Sequence, residues 1–349
     1  MNQNWQEFIT TQGAVIDKQV LESFTSADSR SFNSQHTYLC DLSNLGIIRA
    51  SGDDALSFLH GQFTNDLNLV TNNNSQLSSY CNPKGRMLAI FRVFQKDDDY
   101  YLILNRDVLE PVLKKLTMFK LMAKVDLSDV SDEYVLLGLA GPASASTLKE
   151  HGLQIPESTN TSTHEKETTV ICMPSESSRF LLISEAEHAK TIWQSISNHT
   201  TASTYKTWEL HDIQNGIPQV TAETNEAFIP QMVNLELIGG VNFQKGCYPG
   251  QEIVARTHYL GKPNRRMYHV SISTKNCPLP GTNIFSAKDG EQPVGKIVSA
   301  QHSSDDICNA LAVLRTAKKS DDELHLEPSA GPKVTLLTLP YSLKSTEAP

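Results

Sequence analysis

At 349 residues, with 39% hydrophobic and 20% charged side chains, the chain has the material for two or three domains with proper cores, in a soluble globular composition. A net charge of −9 opposes a large nucleic-acid surface, because phosphate binding depends on clustered Lys and Arg. No apolar run reaches the ~18 residues of a membrane span. The opening MNQNWQEFITTQGAVIDKQV lacks the parts of a secretory signal and the arginines of a transit peptide, so the cytoplasm is the expected location.

The first clear unit begins near Tyr38. Asp54 to His60 reads as a short helix, followed by GQFTNDL. Leu77 to Cys81 and Arg86 to Gln95 read as strands around Asn82-Pro83-Lys84-Gly85, which has the residue choices of a type I turn. Tyr100 to Leu104 is a further strand. Asp107 then starts a helix, with Glu110 placed as in a capping box and Val108, Val112, Leu116 and Phe119 at helical spacing.

A second unit follows. Val135 to Ala140 is an apolar strand, Pro142 to Glu150 a helix and Gln154 to Thr168 a polar loop. Thr169 to Met173 and Phe180 to Ser184 are strands, and Ala186 to Asn198 is a helix, an order that suits a small split α+β layer. Tyr205 to Asn215 is a helix that carries Trp208, expected to pack in a core, and Gly216 ends it. After Pro263, short strands at Tyr268–Ile272, Val294–Ala300, Ala310–Arg315 and Val334–Leu339 predict a small barrel or sandwich. Ser342 to Pro349 is expected to be a frayed tail.

The six cysteines are Cys40, Cys81, Cys172, Cys247, Cys277 and Cys308, and no two come closer than 30 positions. No CxxC pair exists, so no structural zinc site or cluster ligand set is expected and reduced thiols are the default. Cys247 stands out because KGCYPGQE places it between two glycines, beside Lys245, whose charge would favour a thiolate. A tight turn around a structural cysteine is the other reading of the same residues. From Ile253 to Lys288 there is no Asp or Glu, while Arg256, Lys262, Arg265, Arg266, Lys275 and Lys288 fall there. That basic stretch suits either an anion or a solvated face balanced by acids from elsewhere.

KGCYPGQE, together with GQFTNDL, CNPKGRM, NGIPQV, FIPQMVNLELIGG and LPYSL in this order, resembles the YgfZ family of folate-binding tRNA-modification factors, which are akin to the glycine-cleavage T-protein. The resemblance implies an α+β fold: a three-domain T-protein-like ring with ferredoxin-like α+β units and a C-terminal β-barrel. Residues 1–130 plus 205–262 would form the folate-binding domain, 131–204 a small ferredoxin-like domain and 263–349 the barrel. It also implies an accessory factor that binds tetrahydrofolate or a derivative and supports iron–sulfur enzymes, including those that thiolate tRNA; a monomer is the default expectation. No metal, membrane or stable nucleic-acid complex is implied.

The family's motif maps onto Lys245, Gly246, Cys247, Tyr248, Gly250, Gln251 and Glu252, with Cys247 as the candidate catalytic thiol. Pro249 departs from the family's usual Thr or Arg, which removes an N–H. Of the family's two folate-site tryptophans, one falls on Trp208 and the other on Leu45. Leucine keeps an apolar wall but loses aromatic contacts worth roughly 0.5–1.5 kcal/mol. A site for a flat pterin with a carboxylate tail needs such walls, amides and a cation, for which Gln231, Asn234, Gln251 and Arg256 are candidates. Two alternative functions are a folate-dependent aminomethyltransferase and a direct tRNA-binding protein. The T-protein's paired aspartates match Leu88 and Ala89 here, which transfer no proton, and the overall acidity opposes tight tRNA binding.

Overall fold

The computed structural model describes residues 1–25, 32–165, 167–259, 263–316, 323–328 and 331–343. Lys262 and residues 344–349 of the expected tail lie outside them. The chain divides into two compact units. The first comprises Met1–Phe58, Leu67–Gln76 and Phe91–His211, and the second Leu59–Asp66, Leu77–Ile90 and Asp212–Pro349. No helix of the described residues is long and apolar enough to cross a membrane.

In the first unit a six-stranded sheet runs in the order Ser162–Glu165, Thr168–Cys172, Arg179–Glu185, Tyr134–Ala140, Tyr38–Asp41, Thr201–Ser203. Side chains alternate across a strand, so its apolar runs feed two cores. Leu39, Leu137, Leu139, Phe180 and Leu182 pack on one face with Trp5, Ile9 and Trp193. Those three come from helices Gln3–Thr11 and Ala186–Ile196. Cys40, Leu136, Ala140, Leu181 and Ile183 point to the opposite face, where they meet Leu45, Ile47, Tyr101 and Ile103 of a second sheet. In that sheet Asp99–Asn105, Leu45–Ser51 and Asp126–Asp129 lie side by side in this order. In the second unit, Asn82-Pro83-Lys84-Gly85 forms the expected turn, Gly85 N donating to Asn82 O at 2.9 Å.

In the second unit a closed six-stranded barrel runs Arg265–Ser273, Ile307–Arg315, Gly295–Ser304, Asn283–Ser286, Leu324–His325, Lys333–Leu337. Ala310, Ala312 and Leu314 fill its interior with Val270, Ile272 and Ile297. Leu311 and Val313, on the alternate positions, face outward to a second core with Ile213, Phe228, Val233, Leu235 and Val254.

Several expectations need correction. The helix at Arg106–Phe119 is capped by Asn105, whose side chain accepts from Asp107 N, so the cap lies two residues before the expected Asp107 box. The polar loop 154–168 contains the strand Ser162–Glu165, held by pairing with Thr168–Cys172 rather than by apolar alternation of its own. A helix and a hairpin, Ala14–Asp17 with Val20–Phe24, precede Tyr38. The expectation that all thiols are reduced also fails, because Cys277 and Cys308 form a disulfide. Thirty-one positions separate them, yet the segment that follows strand Arg265–Ser273 brings their Cα atoms to 5.6 Å.

Candidate functional site

The KGCYPGQE stretch lies wholly within the second unit, and its conformation is set by its contacts there. Gly250 adopts φ +81°, and a Cβ on it would lie 2.5 Å from Asn82 O and 2.6 Å from Gly85 Cα. Only glycine fits both the left-handed backbone and the contact. The turn of the CNPKGRM stretch and the turn of the cysteine motif are therefore pressed backbone to backbone. Gln251 begins a helix, Gln251–Tyr259, which sequence reading missed because it is short and mostly polar. Val254 is its one fully buried side chain and docks in the core outside the barrel.

Lys245 is the inward-pointing member of the motif, with 8% of its surface exposed. Its Nζ donates to the carbonyl oxygens of His60 and Phe63 and sits 5.0 Å from the ring centroid of Tyr248. Burial pulls its pKa down to about 8, against the opposing pull of Asp66 and Cys247. His60 pairs with Asp66 at 3.3 Å. Its own pKa is lowered, by burial first and then by Lys245. The GQFTNDL stretch is fixed in turn: Thr64 Oγ1 donates to Gly240 O at 2.8 Å, and Asn65 Nδ2 donates to Leu77 O and Gly239 O, each at 2.7 Å. His60, Asp66 and the Phe63 carbonyl are neighbours that the motif alone does not reveal; the GQFTNDL stretch holds Phe63 and Asp66, and His60 directly precedes it.

Cys247 is exposed, as are Gly246 and Glu252. Tyr248 is buried, and burial together with nearby Cys81 raises its pKa. The motif thus turns Lys245 and Tyr248 inward as anchors and presents the thiol outward. Arg256 is exposed in the last turn of the helix and Gln251 is half-buried at its start.

Gln231 and Asn234 are buried in the same unit. Gln231 Nε2 donates to Val254 O at 2.6 Å, while its Oε1 is buried without a hydrogen-bond partner. Asn234, in the left-handed region at φ 60°, donates from Nδ2 to Met267 O at 2.8 Å and accepts from Met267 N at 3.4 Å. Leu88 and Ala89 are buried apolar residues of strand Met87–Lys96.

The structure brings Leu45 and Trp208 together in the first unit, in the core between the two sheets. Trp208 is 3% exposed and Leu45 9%. The Arg179 guanidinium lies 3.6 Å from the centroid of the indole, and its Nη2 donates to Trp208 O at 3.1 Å. On Tyr134–Ala140, Gly138 makes room for the six-membered ring; a Cβ there would meet Trp208 Cε3 at 2.3 Å. Arg179 and Gly138 were not foreseen, because neither lies near Trp208 in sequence.

Comparison with known proteins gives these residues their context. A tRNA-modifying protein YgfZ from Colwellia psychrerythraea is 31% identical over 310 residues, covering 88% of this chain and 94% of the relative. This chain belongs to the YgfZ family. A YgfZ protein from Photorhabdus laumondii is likewise 31% identical, over 87% of this chain and 92% of its own length. The GCVT N-terminal domain family matches residues 19–160. The glycine cleavage system aminomethyltransferase T from Bartonella henselae superposes with a TM-score of 0.79 over 97% of both chains at 16% identity. The chain therefore has a T-protein-like fold, mixed α+β with a closed C-terminal barrel.

Proposed function

We propose that this protein is a cytoplasmic, folate-binding accessory factor for tRNA modification that sustains the iron–sulfur enzymes which thiolate tRNA, with Cys247 as its working thiol. Family membership supports the tRNA-modification role, since the curated relatives carry that name. The T-protein-like fold supports a folate ligand. The observation that carries the role of Cys247 is its exposure on a turn whose neighbours Lys245 and Tyr248 are buried. A purely structural cysteine would be drawn inward.

The residues fit one end of folate better than the other. Exposed Arg256 and half-buried Gln251 suit its carboxylate tail, with the guanidinium fork matching a carboxylate. Gln231 Oε1, buried and without a hydrogen-bond partner, would gain from a pterin N–H. Asn234 has both sides of its amide engaged with Met267. Leu45 and Trp208 do not fit as an open stacking wall, because Arg179 covers the indole. Folate would supply one-carbon or redox chemistry when bound. The chain's own contribution is to hold the tail and to present a thiol.

The ligand is tested by calorimetric titration with tetrahydrofolate. Saturable binding that weakens in Arg256→Ala is expected, and no saturable heat overturns the folate reading. The thiol is tested by expressing Cys247→Ser in a deletion strain and quantifying thiolated nucleosides in bulk tRNA. A loss towards the deletion level is expected, and full rescue overturns the role of Cys247.

A further inference from the structure

The barrel contains a second thiol-bearing cluster, remote in sequence from the Cys247 motif. Gly295–Ser304 and Ile307–Arg315 form a tight antiparallel pair in which His302 stands directly opposite Cys308. The segment after Arg265–Ser273 brings Cys277 to the same place. The ligand atoms of Cys277, His302 and Cys308 all lie within 4.8 Å of one another. Cys308 is buried in the barrel interior, whereas Cys277 and His302 are half-buried. His302 Nδ1 is 3.7 Å from Cys308 Sγ and 3.3 Å from the Ser304 carbonyl oxygen.

A disulfide needs no imidazole at its sulfur. Two thiolates and an imidazole are, however, the donor set of zinc. A tetrahedral ion with Zn–S of about 2.3 Å and Zn–N of about 2.0 Å holds its donor atoms about 3.4–3.8 Å apart. The His302 Nδ1–Cys308 Sγ separation already matches that spacing, and the nitrogen becomes a ligand by giving up its proton and its contact with the Ser304 carbonyl oxygen. Cys277 has to move outward to reach it, and its sulfur is carried by a connecting segment rather than a strand.

We propose that Cys277, His302 and Cys308 form a Zn²⁺ site in the reduced protein, and that the disulfide is the oxidised, metal-free form of the same site. Three protein ligands leave a fourth position, on the side where Cys277 and His302 meet solvent, for water or a small anion. The exchange balances. A dithiol reductant gives two electrons and two protons to the S–S bond and becomes a disulfide itself; Zn²⁺ then displaces the two thiol protons. In the other direction hydrogen peroxide takes two electrons from the zinc-bound thiolates. The S–S bond forms, the bonds to zinc break, and peroxide with two protons leaves as two waters.

The test uses the full chain, reduced with a phosphine and freed of metal, then titrated with Co²⁺. One equivalent should bind with a thiolate-to-cobalt charge-transfer band that Zn²⁺ abolishes, and the peroxide-oxidised protein should bind none. Cys277→Ser and His302→Gln should each weaken binding by at least about tenfold, while Cys172→Ser binds as wild type. The zinc X-ray absorption spectrum of the loaded wild type gives a check that needs no variant, and two sulfur neighbours are expected. No uptake by the reduced protein, uptake undiminished in Cys277→Ser and His302→Gln, or a zinc shell without sulfur overturns the proposal.

Discussion

Gly250 and Lys245 carry most of the local logic of the cysteine motif. A left-handed φ costs a side-chain-bearing residue about 1–3 kcal/mol before any clash, and at Gly250 the added Cβ would also strike Asn82 O. Gly250→Ala should therefore lower the unfolding free energy by at least that amount, as read from urea denaturation. An undiminished midpoint would show that the two turns are not pressed together. Lys245, with its pKa brought down to about 8 by burial, should be half deprotonated near that pH, far below a surface lysine. Methylating the lysines with ¹³C-formaldehyde and following their NMR shifts with pH should give one midpoint well below the rest, absent in Lys245→Met. Cys247 was legible in the sequence because glycine, lysine and a turn cluster around it. The carbonyl oxygens that hold Lys245 were not, because backbone groups leave no mark in a sequence and His60 lies 185 positions away.

At the scale of elements, the core between the two sheets depends on a glycine in a strand. Leu137 and Leu139 face one core while Leu136 and Ala140 face the other, so Gly138 stands on the Trp208 side. Overpacking a tight core typically costs about 1–3 kcal/mol. Gly138→Ala should lower the melting temperature and change the fluorescence of Trp208. A second change, Trp208→Phe, should recover part of the loss; strict additivity of the two would refute the contact. Six of the strands were visible as apolar runs with ends within a few residues of the expected positions, whereas Tyr38–Asp41, Leu45–Ser51, Asp126–Asp129 and Thr201–Ser203 were not read as strands. The helix Gln251–Tyr259 and the strand Ser162–Glu165 were not visible, because a mostly polar stretch takes its conformation from what it packs or pairs with. The barrel was expected from four strands, but its closure uses Asn283–Ser286 and Leu324–His325, each too short to show a period.

For the whole molecule, acid stability should be shaped by His211. Burial, reinforced by the Arg179 charge, holds its pKa near 3, while the unfolded chain titrates near 6.5. Between those values the unfolded state binds the extra proton, so stability is present above about pH 6.5 and is lost as pH falls toward 3. The loss from this one group is on the order of 3–5 kcal/mol. Asp41 and Glu236, whose carboxyl pKa values are raised by burial, act in the opposite sense within the carboxylate range. Urea midpoints at pH 6.5 and 4.5 should separate clearly in the wild type and converge in His211→Gln; equal separation in both would exclude His211 as the source.

The division of the chain bears on its birth at the ribosome. Residues 59–66 and 77–90 emerge early, yet their compact unit is completed by Asp212–Pro349. About 120 residues of translation separate the end of the second segment from the start of that partner, roughly 6–24 s at ordinary elongation rates. Throughout that interval Cys81, Met87 and Ile90, destined to pack with Ile213, Phe228 and Val254, are without the structure that will cover them. The nascent chain is thus obliged to shield them by transient collapse or by a chaperone, and a severed carboxyl-terminal half would lack the two early segments that finish it.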